Sequence, residues 1–150
     1  MKSPILSVLL LVLALVVSGC GNTATANMVT ASPEPLAVED QASLIAALQT
    51  AGATVEVGDA ISQEFFSPEG NIIKVNGADV QVFEYESADA MENEASQVAP
   101  DGGSIGTSMV SWMDAPHFYK TGRIIALYVG GDQTILDLLN MVLGAQFAGQ

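Results

Sequence analysis

Ile72-Ile73-Lys74-Val75-Asn76-Gly77-Ala78-Asp79-Val80-Gln81-Val82-Phe83-Glu84-Tyr85-Glu86 is the stretch that decides the fold. Asn76-Gly77 takes up two positive φ angles at little cost, as a type I′ turn requires, so residues 72–75 and 79–86 read as a β-hairpin. The second arm is apolar on both parities, with Val80 and Val82 on one and Phe83 and Tyr85 on the other. That pattern places it inside a sheet, either covered on both faces or bulged.

Towards the N-terminus, residues 54–57 alternate as a strand, residues 61–66 read as another, and Ser67-Pro68-Glu69-Gly70 reads as a turn. Before them, Asp40 can cap a helix with Leu44, Ala47, Leu48 and Ala51 on one face, and Gly52 is its stop. Towards the C-terminus, Ser87 can cap a helix whose Ala88, Met91, Ala95 and Val98 share a face, closed by Pro100 and Asp101-Gly102-Gly103. Residues 109–113 read as a strand and Asp114-Ala115-Pro116 as a turn. Residues 117–120 and 123–129 form a second hairpin around Thr121-Gly122. Residues 124–129 are nearly all apolar, the pattern of a central strand. Gly130-Gly131 breaks it, Asp132 caps a last helix with Ile135, Leu138, Leu139 and Val142 in a stripe, and Gly144 ends it.

Two stretches echo each other: Phe65-Phe66 through Gly70 to Ile72-Ile73 aligns with Phe118-Tyr119 through Gly122 to Ile124-Ile125 with one gap, each in a hairpin preceded by a helix and a strand. The echo suggests a duplicated helix-then-three-strands unit; chance likeness of two amphipathic hairpins is the other reading. Either way the expectation is one α+β domain over residues 39–150. It would have an antiparallel sheet of six or seven strands and three helices packed on one face.

The chain opens with a separate signal. Lys2 precedes an apolar run over residues 5–17, interrupted only by Ser7, and Val17-Ser18-Gly19-Cys20 follows. The run is shorter than the ~20 residues a bilayer span needs and suits a secretory leader. Val17-Ser18-Gly19-Cys20 resembles a bacterial lipobox. The resemblance implies a leader of residues 1–19, acylation of Cys20 (a palmitate-type anchor) and a lipoprotein held on the extracytoplasmic side of a bacterial membrane, in the cell envelope. An ordinary secretory signal with an incidental cysteine is the alternative. Residues 21–38 are small and polar, with two prolines, and read as a tether with a reach of roughly 25 Å.

The 150-residue chain has four basic and seventeen acidic residues and a net charge of −13. Once Lys2 leaves with the leader, Lys74, Lys120 and Arg123 are the only cations. Three scattered cations cannot assemble a phosphate-binding surface or a polybasic membrane patch, so nucleic acid is not an expected partner. Cys20 is the sole cysteine, which leaves no disulfide or thiolate metal site in the domain.

Chemistry-bearing patterns are sparse. His117 is the only histidine, and the nearby Ser104, Ser108 and Ser111 with Asp101 and Asp114 form no nucleophile elbow. Glu84, Glu86, Asp89, Glu92 and Glu94 crowd one strand end and the next helix, but their spacing matches no calcium loop and suits a solvated face. Trp112, His117, Phe118 and Tyr119 gather aromatic and hydrogen-bonding groups around one turn and are the candidate binding surface. The hairpin Pro116-His117-Phe118-Tyr119, the strand at Ile124-Ile125 and the final Leu143-Gly144 with Gln146-Phe147-Ala148-Gly149 resemble small domains of bacterial secreted proteins. That resemblance implies a location and no activity.

The sequence therefore points to a binding or accessory module rather than an enzyme, with a membrane anchor, a protein partner at the envelope, and no cofactor or metal. A domain binding a small molecule or a divalent cation is the second reading, and a hydrolase using His117 the third.

Overall fold

The computed structural model describes residues 37–150. The leader, Cys20 and residues 20–36 of the tether lie outside the described residues.

Helix α1 (Gln41–Thr50) starts at a capping box. The Asp40 carboxylate accepts from the Ser43 amide at 2.9 Å, and the Ser43 hydroxyl accepts from the Asp40 amide at 3.0 Å. Leu44, Ala47 and Leu48 are its buried face. Strands β1 (Val55–Ile61), β2 (Gly70–Val75) and β3 (Ala78–Glu84) follow, then α2 (Ala88–Ala95) and the two-residue strands β4 (Ser104–Ile105) and β5 (Ser108–Met109). The chain ends with β6 (Pro116–Thr121), β7 (Ile124–Val129), α3 (Gln133–Leu143) and β8 (Ala148–Gly149). The main sheet is antiparallel in the order β1-β2-β3-β7-β6-β8, and β4 and β5 pair separately. The α+β class thus stands, with three helices and six strands of the main sheet among the described residues.

The Asn76-Gly77 turn has φ of 51° and 88°, as a type I′ turn needs. Both parities of the central strands are buried because both faces of the sheet are covered. Val80, Val82, Ile124, Ala126 and Tyr128 pack under α1 and α3 with Leu44, Leu48, Ile135 and Leu139. Phe83, Ile125, Leu127 and Phe118 pack on the other face with Met91 and Ala95 of α2, Val98, Ile105 and Phe66. β3 keeps an unbroken register with both neighbours, so it is covered on both faces and not bulged.

This corrects the placement of all three helices on one face: α2 lies opposite α1 and α3. It also bears on the duplication. The echo sets Ile72-Ile73 of β2 against Ile124-Ile125 of β7 and Phe65-Phe66 against Phe118-Tyr119 of β6, but Phe65 and Phe66 lie in a turn and not in a strand. The stretch that echoes β6–β7 is therefore a loop and one strand, and the helices that precede the two stretches lie on opposite faces. The third strand of the second unit is missing too. Residues 109–113 join the sheet nowhere, because the place beside β6 is taken by β8, and only Ser108 and Met109 pair, with β4.

Two further boundaries move. Residues 55–61 form one strand rather than parts of two, since a register shift between Val57 and Ala60 lets pairing run on to Ile61 opposite Gly70. Residues 63–66 then turn, and Phe66 packs on Phe83 with ring centroids 4.8 Å apart. The second hairpin turns at Gly122-Arg123, one residue beyond the expected Thr121-Gly122, with Gly122 at φ 52°. Val38 is already buried in the core, one residue before the expected domain start.

Candidate functional site

β6 divides the aromatic cluster that the sequence brings together, because alternate side chains of a strand point to opposite faces. Phe118 is fully buried on the α2 face, while Tyr119 is fully buried on the α1/α3 face. His117 is 5% exposed, and its ring stacks on Tyr128, its cross-strand partner, at 6.1 Å and 22°. Three of the four candidate surface residues are therefore core, a correction to the aromatic turn as a contact surface. Strand alternation combined with cover on both faces is the cause.

His117 Nδ1 lies 2.7 Å from Gln146 Oε1, which reaches back from the segment after α3. Among the described residues, His117 Nε2 and the Tyr119 hydroxyl are the buried side-chain polar atoms with no hydrogen-bond partner. Burial, and secondarily the Asp137 charge, pushes the Tyr119 phenol up. Ser104, Ser108 and Ser111 belong to the segment that covers the opposite face, so His117 meets Gln146 and none of them.

Trp112 is the one member of the cluster that keeps contact with solvent. Its indole N–H donates to Gly102 O at 2.7 Å. Its ring makes edge-to-face pairs with Phe65 (6.0 Å, 75°) and Phe118 (5.8 Å, 72°). The indole is thus held from three directions, and it lines a cleft of about 460 Å³ with Asp101, Val110, Asp114 and Pro116. A second cleft, of about 320 Å³, lies on the other side of Val110 against Phe65, Met109 and Glu64. Met109 and Met113, on the same segment, are almost wholly exposed at 91% and 103%.

Asp101 and Asp114 each fold their own loop. Asp101 Oδ1 accepts from the Gly103 amide at 2.9 Å, and Asp114 Oδ1 accepts from the Ala115 amide at 2.8 Å. Neither appears in an ion pair among the described residues, because every cation there is engaged elsewhere. Lys74 meets Asp79 at 2.6 Å, Lys120 meets Glu92 at 2.5 Å, and Arg123 meets Glu84 at 2.6 Å and Asp40 at 3.6 Å.

The acidic crowd around α2 is largely occupied. Glu84 holds Arg123 and the Gln41 amide, Glu92 holds Lys120, and Glu94 accepts from the Ser67 amide and the Tyr85 hydroxyl. Burial and then the Glu94 hydrogen bond push the Tyr85 phenol well above its ordinary range. Among the described residues no three of His, Cys, Asp and Glu converge as a metal set.

The cleft was missed by sequence reasoning, apart from Trp112 itself. Asp101 reads as a helix stop and Asp114 as a turn, and no local pattern says that residues 101–103 and 110–116 meet. They meet because Gly102 receives the indole N–H, and because the chain's last residues bond to both segments (Gly149 N to Pro100 O, Gln150 N to Pro116 O). Comparison with protein-family models, with curated proteins and with solved structures finds no match for the chain, and so no catalytic family.

Proposed function

We propose that the chain is a lipid-anchored, extracytoplasmic binding module, held at one pole by its tether and engaging a partner at the other through the cleft face around Trp112. The observation that supports this best is the use made of the two ends of β6. At its Thr121 end, the turn grips the first residues of the domain: Thr121 Oγ1 donates to Val38 O at 3.2 Å, and the Arg123 amide donates to Glu39 O at 2.9 Å. At its Pro116 end, Ala115 and Pro116 line the cleft with Trp112, Asp101 and Asp114. Six residues of strand separate the two by about 17 Å. The described chain thus begins at the end of β6 opposite the cleft, which leaves the cleft clear of the domain's entry point.

The anchor half of the proposal rests on Val17-Ser18-Gly19-Cys20. No helix among the described residues is long and apolar enough to cross a membrane. Labelled fatty acid is expected to enter the wild-type protein and not Cys20→Ala. A membrane-impermeant maleimide is expected to modify Met113→Cys in unlysed spheroplasts. Wild-type protein that takes up no label, or a Met113→Cys variant that reacts only after lysis, would sink the reading.

A further inference from the structure

We infer that the cleft beside Trp112 seats a basic side chain, an arginine or lysine presented by a protein partner whose apolar residues lie on Met109 and Met113. The inference rests on the reading that the Trp112 pole is the binding face, and it names the chemistry of what binds there.

Charge points the same way at every scale. The chain carries −13 overall, and its three cations among the described residues are all committed to other carboxylates. Asp101 and Asp114 line one cleft, and each spends a single oxygen on its own loop, so among the described residues the second oxygen of each has no donor. A partner cation would supply it, with a charge-assisted hydrogen bond. The indole beside them favours the same guest, because a cation over an aromatic face is attracted to the ring quadrupole. Its fixed position, set by Gly102 O, Phe65 and Phe118, makes it an anchor that needs no ordering on binding.

The surroundings favour a protein over a small molecule. The 460 Å³ cleft is within the range that holds a ligand group, but it does not stand alone. A second cleft flanks it across Val110, and Met109 and Met113 project beside the pair. Exposed, unbranched thioether side chains adapt to varied apolar surfaces and commonly line such contacts. A charged centre flanked by two exposed methionines, and by a mixed cleft where Phe65 and Met109 stand among Gln63, Glu64, Ser108 and Ser111, fits a segment with a basic residue beside apolar and polar ones.

Trp112 is the only tryptophan, so its emission reports on this cleft in the full-length chain. The probes are a short peptide with arginine between leucines and the same peptide with citrulline in its place, which keeps shape and removes charge. The arginine peptide is expected to change the emission saturably, and the citrulline peptide to bind at least about tenfold more weakly. Asp101→Asn with Asp114→Asn keeps both loop hydrogen bonds while removing both charges, and is expected to lose about tenfold or more. Glu56→Gln with Asp59→Asn makes the same charge change on exposed β1 and should stay within about twofold, since separated surface charges are screened. Equal binding of the two peptides, no saturable change, or equal loss in the β1 variant would overturn the inference. Fatty-acid labelling is scored separately: an unlabelled chain that binds the arginine peptide loses only the anchor, and a labelled chain that ignores it loses only the cation.

Discussion

The hairpins β2–β3 and β6–β7 stand side by side in the sheet, joined through β3 and β7, and each turns on a glycine with positive φ. Their surroundings differ. A Cβ at Gly77 would meet nothing within 4 Å, so the first turn projects freely. A Cβ at Gly122 would press on the backbone of Glu39, with its carbonyl oxygen at 2.5 Å, because the second turn is folded against the start of the domain. The outer strands differ as well: β2 is covered along its length by β1, while β8 pairs only with His117 and Phe118 near the Pro116 end of β6, and residues 119–121 have no strand on that edge among the described residues. The same local motif serves once as plain scaffold and once as the part that joins the domain's first described residues to the cleft. Its neighbours, not its own residues, make the difference.

The comparison breaks first if the second hairpin is not central. Leu127 of β7 is fully buried on the α2 face, and Leu127→Ala should cost about 2–5 kcal/mol in chemical denaturation. A loss under about 1 kcal/mol would mean that the face covered by α2 and loops is not core.

The turns provide the next test. Gly77→Ala should cost about 1 kcal/mol, from the positive φ alone. Gly122→Ala adds a clash with Glu39 and should cost about 2–4 kcal/mol. Equal losses would show that the second turn does not grip the domain's first residues.

A smaller contrast involves two phenols. Tyr85, just beyond β3, donates to Glu94 at 2.8 Å, and Tyr85→Phe should cost about 1–2 kcal/mol. Tyr119 of β6 has its hydroxyl buried without a partner, so Tyr119→Phe should be neutral within about 0.5 kcal/mol or stabilising.

The smallest effects are on pH dependence, and they have opposite signs. Hydrogen bonds from the Ser43 amide and hydroxyl, then the Arg123 charge, hold the Asp40 carboxyl below its ordinary range. A lowered folded pKa gives stability that is present above the unfolded value and lost as pH falls through the folded one, so Asp40→Asn and wild type should converge below about pH 4. In the first hairpin, the hydrogen bond and charge of Asp79 raise Lys74. That contribution is present below the unfolded value and lost above about pH 10.5, so Lys74→Met should flatten only the alkaline limb. Unfolding curves across pH, with a change on the wrong limb, would separate the charge pairs from the turns they flank.

Some of this was decided by the sequence alone. Asn76-Gly77 can hardly be anything but a tight hairpin turn, and the two apolar parities of β3 put it inside the sheet, either covered on both faces or bulged, a choice the tertiary structure made. Asp40 with Ser43, Ser87 and Asp132 announce three helices within a residue or so of where they begin, because capping is a matter of neighbouring backbone donors. Only the tertiary structure decided which cover goes where. α2 is a weak, two-turn helix whose Met91 and Ala95 could pack on either face, and Phe66, Phe118 and Trp112 draw the chain to the second one. Residues 109–113 have strand-like side chains, but β8, from the far end of the chain, occupies the place beside β6. His117, Phe118 and Tyr119 look like a cluster in the sequence and are parted by strand alternation. Asp101, Trp112 and Asp114 look unrelated and are brought together by a hydrogen bond to Gly102. Local chemistry settles turns and caps; which side chains share a cleft depends on contacts between distant segments, which no local pattern encodes.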